Sequence, residues 1–579
     1  MIRFPFWFAV LLSLSILLAG GNSLVAQDKP ADEPTTDPLG LFGDGPPRPF
    51  ATVTLASVEG SLADIAWVFG VAERPDMMEL LEKVLKDNVR DLKGLDRTRP
   101  AGVMVFMQPS LPPRPVPVAY IPVSDLNDLL KTMDLGPLKT QKVEGTENRY
   151  ELVGRRNTQH IIVREGYLYI SQNEDYATNE DLPIPADFAP PLASKYDIAV
   201  SLDLTAIPSI LRDAFLSYLR SQAEADLQRR DEEPEGAYIV RRTNGITMLE
   251  NLEQALSEGE KITLGLEASP EQEKVTLDLS IDAKPGSDYA EILKATVGRP
   301  SAFQPLTEDE DQPLSISACW IPNQRDRKAY AEYVRALETG LKNRMTESDG
   351  GTLSPASQAT ISRICDPIRS TIDDEQMDLC FQFRQVSASK FVIIGALRVV
   401  GGDTLGTGLQ ELISRAKELD PNLDNLELNV AQHEGVNIHR LQGKDALEGR
   451  KGPLGESPSA YVAASNRTAW LAVGGPEALD ELKFSIDKMI AAGEAPRTGS
   501  TAPFKMVLRA SKWLKLPPDN DREDEGREVA VEAFKPAEDA LRIEARPTDS
   551  GARIRIQLDK SFVRFVGLMI ARQYDKSQL

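Results

Sequence analysis

Histidine and cysteine are nearly absent from this chain, with three of each in 579 residues, and Gly-x-Ser-x-Gly does not occur. His160, His433 and His439 form no His-x-x-x-His pair, and no Cys-x-x-Cys is present, so a zinc or haem site of sequence-local ligands is not expected. His433 and His439 are six residues apart, but the Glu434-Gly435 turn between them spoils a shared strand face. All three are read as surface or structural residues. Cys319, Cys365 and Cys380 are an odd number, so at most one internal disulfide can form and stability must come from burial. No cofactor is expected. Net positive charge is also missing: 66 Lys+Arg stand against 88 Asp+Glu, a net charge of −22, which repels phosphate backbones and argues against nucleic acid as a partner.

After the N-terminus, no apolar run approaches the ~20 residues of a membrane span. Met1-Ile2-Arg3 precedes an apolar run from Phe4 to Ala19, a charged n-region ahead of a short h-region. Residues 1–26 are therefore expected to be a secretion signal cleaved after Ala26, with a retained signal anchor as the alternative. No cysteine lies nearby to carry a lipid. The mature chain is expected in the periplasm or outside the cell, soluble after cleavage. Residues 27–49, rich in Pro, Asp and Gly, read as a disordered tether.

Beyond the tether, the order of elements repeats. The expected fold is α+β: two tandem, diverged lobes, each a mainly antiparallel sheet covered by helices, over 50–298 and 314–579, with 299–313 as a Pro- and acid-rich linker. Each lobe opens with an alternating strand and an amphipathic helix: Ala51–Leu55 in the first, and Leu314–Ala318 in the second, followed there by a helix with Tyr330, Val334, Leu337 and Leu341 on one face. In the first lobe a helix from Asp76 is expected to turn Met77, Leu81, Val84, Leu85 and Leu92 inward, with Gly94 as its C-cap. Glu144-Gly145 matches Glu434-Gly435, and Leu266-Glu267-Ala268-Ser269-Pro270 matches Ile543-Glu544-Ala545-Arg546-Pro547. The offsets, 434 − 144 = 290 and 544 − 267 = 277, place indels between them. One is extra charged sequence at 220–245; the other is a longer second-lobe loop at 443–458.

Motifs are scarce. The run Val399–Gly408 links a strand to a helix, but Thr407 stands where a phosphate-binding Lys belongs, so it reads as a permissive turn with Asp403 or Thr404 as helix cap. Asp521, Glu523, Glu525 and Glu532 copy the spacing of an EF-hand loop and are weak metal candidates. Glu is too long at the inner positions, and Glu528 replaces an apolar residue. Ser387-x-x-Lys390 lies in a predicted hairpin turn and Ser485-x-x-Lys488 in mid-helix, so neither suits nucleophilic catalysis. Pro109–Arg114 reads as a stiff connection. The apolar last helix, with Phe562, Val563, Phe565 and Leu568, is expected to pack on its own lobe's sheet, with contact to a membrane surface the less favoured role.

In its layout of signal, Pro/Asp-rich tether and long α+β repeats, the chain resembles the uncharacterised exported proteins common in planctomycete-type bacteria. The resemblance rests on residues 1–50 and the repeat order and implies no functional residue. The expected function is a non-catalytic envelope protein, a binding or scaffolding module whose ligand or partner, an unidentified protein or envelope component, sits between the lobes or on a sheet face. One alternative is a hydrolase using carboxylates brought together by folding; another is a calcium-dependent surface protein.

Overall fold

The computed structural model describes residues 48–578, apart from 109–113, 135, 155–156, 297–298, 375, 420–424, 443–452, 456–457, 494–501, 517–524 and 536. The expected signal and nearly all of the tether lie outside the described residues.

Period-two alternation yields β1 (Ala51–Leu55), β2 (Ala101–Gln108), β3 (Arg114–Pro122), β4 (Lys139–Lys142), β5 (Arg149–Val153), β6 (Thr158–Arg164), β7 (Tyr167–Ser171), β8 (Ile198–Asp203), β9 (Gly259–Ser269) and β10 (Lys274–Ala283). The rest are β11 (Leu314–Trp320), β12 (Met377–Gln385), β13 (Phe391–Arg398), β14 (Asn425–His433), β15 (Val436–Gln442), β16 (Ser459–Ser465), β17 (Thr468–Gly474), β18 (Phe504–Arg509), β19 (Ala540–Pro547) and β20 (Gly551–Asp559). All pair antiparallel, so the fold is α+β with one large antiparallel sheet.

The pairings run 4-5-6-7-3-2-1-8-9-10 through the first half and 14-15-16-17-13-12-11-18-19-20 through the second. Adding ten to each label carries one ladder into the other. The halves meet where β10 pairs with β20, Leu277 facing Ile556. Leu277 pairs with Leu266 in its own half and Ile556 with Ile543, so the two occupy matching positions and a local twofold axis passes between them. The outer edges are β4, only Lys-Thr-Gln-Lys, and β14, whose ladder is broken by an irregularity between Glu427 and Ala431.

Three features differ from the sequence reading. The expected linker is part of the interior: Phe303 and Leu306 are buried in the core formed by β13, β15, β16 and β17. Asp378, fully buried, accepts from Ser301 Oγ (2.5 Å) and the Ala302 amide (2.6 Å), tying this segment to the start of β12. Its prolines and acids hid two large apolar residues.

The last helix, Lys560–Gln578, packs on helices rather than on its own half's sheet: Leu568 meets Ala72, Val529 and Ala533, and Ala571 meets Phe69 and Met77. Reciprocally, the first-half helix Glu235–Glu258 lies against the second-half helix Gln324–Ser348. The halves therefore share interior, and the picture of two separate lobes gives way to one continuous sheet with exchanged helices.

The helix from Asp76 stops at Val89, and its cap is Arg90 in the left-handed region rather than Gly94. Arg90, Asp91 and Leu92 are all left-handed, at φ 47°, 57° and 52°, which costs non-glycine residues about 1–2 kcal/mol each. Gly94 (φ +83°) follows, and a Cβ there would lie 2.1 Å from the Leu129 backbone nitrogen. Gly94→Ala is expected to lower the unfolding free energy by about 2 kcal/mol in urea denaturation, since the clash is with backbone.

Candidate binding surfaces

In β1, β8, β9, β10 and β11 small polar residues are among the buried ones. Thr54, Ser201, Thr263, Thr276, Ser315 and Ser317 are buried. Tyr196 lies over Gly265 on that covered face, and Gln382 donates to the Leu306 carbonyl (2.8 Å) and to Ser315 Oγ (3.0 Å). The opposite face carries the aliphatic residues. One row crosses the eight central strands as Leu55, Ile198, Leu266, Leu277, Ile556, Ile543, Met506 and Ile316, each facing the next. It reads alike from both ends of the twofold. In the adjacent row Leu264, Leu279 and Ile554 face one another; Leu264 is 41% and Ile554 37% exposed. Only Leu55 in the first row is fully buried. Leu293 of the helix Asp288–Thr296 packs on Ala545, Ala552 and Phe504 of this face, so the apolar area left in water, which costs about 25 cal/mol per Å², is greatest at Leu264 and Ile554.

The seam is also held by charge. Arg555 Nε and Nη2 donate to the two carboxylate oxygens of Asp278 (2.8 and 2.7 Å), and the Tyr196 hydroxyl adds a contact of 3.3 Å. The twofold-related position carries Thr276 opposite Gln557 instead, so the ion pair occurs on one side of the axis.

Two carboxyls interact at the start of the first half. Burial pushes Asp64, on the helix Val58–Val71, up to about 7, with the Asp197 charge adding to the effect. Asp197, which accepts from the Ala268 amide (2.6 Å), is itself raised by burial. Neither acid lines the two main cavities. One cavity, about 1070 Å³, lies between Val58–Val71, Asp76–Val89 and the helix Leu126–Met133. The other, about 680 Å³, lies between Glu235–Glu258 and Gln324–Ser348 and includes Val240, Asn244, Tyr333 and Leu337. Leu337, expected inside, is 43% exposed there because its helix turns that side away from the core.

The residues singled out by sequence are scattered. His160 stands 3.8 Å from Glu151, and His433 Nε2 lies 2.6 Å from Asp487, while buried His439 accepts from the Asn429 amide (3.1 Å) and is lowered by burial. The three cysteines are free and buried; burial pushes the Cys319 thiol up to about 12. Asp521 and Glu523 lie outside the described residues, Glu525 begins the helix Glu525–Ala533, and Glu532 pairs with Arg572 (3.0 Å). Among the described residues no group of three His, Cys, Asp or Glu could hold a metal ion.

The glycine run begins a helix at Gly402, so Asp403 and Thr404 lie within its first turn rather than capping it. A Cβ on Gly402 would meet the Ser465 carbonyl at 1.8 Å, which makes packing the reason for the glycine. Ser387 and Lys390 bond through their backbones in the β12–β13 turn, and Ser485 is buried in mid-helix with its hydroxyl on the Glu481 carbonyl (2.8 Å).

No family model, curated protein or solved structure matches this chain. No helix among the described residues is long and apolar enough to cross a membrane. The apolar sheet face gave no local sequence signal, because alternation alone does not say which side of a strand is covered.

Proposed function

We propose that the chain is a non-catalytic exported envelope protein, a binding or scaffolding module made by duplication of one α+β unit, whose partner sits on the apolar sheet face. The carrying observation is the partly exposed aliphatic face that crosses the local twofold, with Leu264 and Ile554 its most exposed residues. The repeated strand order supports duplication, and the charged N-terminal residues ahead of Phe4–Ala19 support export. An envelope component with an apolar surface suits the face, because covering it removes aliphatic area from water without burying a charge.

The test is a paired capture from native envelopes with full-length protein and a Leu264→Asp/Ile554→Asp variant, alongside Nile red titration. The wild type is expected to retain a defined partner and to brighten the dye, with both signals at least tenfold weaker in the variant and melting temperature little changed. Equal capture and equal dye binding by the two proteins would refute this reading.

A further inference from the structure

The 1070 Å³ cavity of the first half carries more positive than negative side chains in a chain whose net charge is −22. Its floor is apolar, with Leu62, Ala66, Met78 and Leu85 from two helices. Its rim carries Lys86, Arg90, Lys93, Arg97 and Lys131 against Glu82, Asp91 and Asp128, an excess of two positive charges in a molecule of net −22. Two of the acids are already engaged: Asp91 pairs with Arg97 (3.0 Å) and Asp128 with Lys131 (3.2 Å). Arg90 donates to the neutral Lys131 carbonyl (2.6 Å), and among the described residues Lys86, Arg90 and Lys93 form no ion pair. The left-handed run Arg90–Leu92 holds this rim in place against its backbone preference.

The second half shows what this position looks like when it is closed. There the matching helices, Gln324–Ser348 and Pro355–Asp373, have 25 and 19 residues against 14 and 14 in the first half. They fill the space between them with Val334, Met345, Ile361, Cys365 and Ile372, all buried. Shorter helices thus leave an open apolar trough in the first half, with Lys86, Arg90 and Lys93 on its rim.

We propose that this groove binds a single-chain amphipathic anion, with the apolar chain on Leu62, Ala66, Met78 and Leu85 and a carboxylate or phosphate head at Lys86, Arg90 and Lys93. The site is separate from the apolar sheet face and stands or falls independently of it. Charge complementarity selects the head, and the apolar floor selects the tail.

The test is calorimetric titration of the full-length protein with dodecyl phosphate below its micellar concentration, with inorganic phosphate and dodecanol as the two halves of the ligand. Dodecyl phosphate is expected to bind one per chain, at least tenfold more tightly than either half. Lys86→Glu/Lys93→Glu should weaken it at least tenfold, and Ala66→Trp, which fills the floor, should do the same with unchanged melting temperature. Inorganic phosphate binding as tightly would make this a free-anion site, and dodecanol binding as tightly would make it an apolar one. Either outcome overturns the proposal, as does absence of binding or an unaltered affinity in both variants.

Discussion

Arg555→Ala is expected to lower the unfolding free energy by about 3 kcal/mol, because it leaves the Asp278 carboxylate, only 1% exposed, without its bidentate partner. The Tyr196 hydroxyl at 3.3 Å cannot neutralise that charge. Arg555 is itself 35% exposed, so water entering its place moderates the loss, which puts the value at the low end for broken buried pairs. Asp278→Asn/Arg555→Met removes both charges and should recover most of the stability. The pair sits beside the twofold, so its removal should be felt where the halves join, and hydrogen exchange in β10 and β20 should rise before that in β2 or β12. Urea denaturation showing a loss below about 0.5 kcal/mol would mean that the aliphatic row holds the seam unaided.

Asp64→Asn should stabilise the protein, and the gain should depend on pH. Burial, with Asp197 nearby, holds the Asp64 carboxyl protonated up to about 7, against 3.8 ordinarily, and its Oδ2 has no hydrogen-bond partner. Below 3.8 the group is protonated whether the chain is folded or not. As pH rises from there, the unfolded chain ionises first and stability falls, until the folded group ionises at about 7; beyond that the cost is constant. Allowing for solvent screening of a partly exposed group, the cost at pH 8 is about 2–4 kcal/mol. Melting at pH 8 and pH 4 should therefore show the variant ahead by several degrees at the higher pH and level with the parent at the lower. An equal advantage at both would show that the carboxyl is not the source.

Period-two alternation located the strands well: the stretches read as Ala51–Leu55 and Leu314–Ala318 appear as β1 and within β11. Pairing partners between halves were not legible, because nothing local in Val275–Ile281 says that it will meet Ile554–Leu558. Nor was the covered side. β10 alternates small polar and aliphatic residues and β20 alternates Arg or Gln with aliphatics, and the rule that aliphatics turn inward fails where Tyr196 and the short helix Gln304–Thr307 cover the polar side instead. Phe303 and Leu306 were hidden by their prolines and acids, and Arg90 ended its helix without a glycine signal. The groove was beyond reach for a different reason: Lys86, Arg90 and Lys93 are close in sequence, but only folding sets the apolar residues Leu62 and Ala66 of another helix beside them.

The two outermost strands bear on the behaviour of the protein at high concentration. Among the described residues the ladder of twenty strands ends at β4 and β14, and identical molecules can join along the edges of such a sheet into fibres. Here one terminus is four residues long with a lysine at each end, and the other is kinked at mid-length. Neither offers the long straight template that polymerisation needs, so the molecule can carry so broad a sheet without growing into a filament.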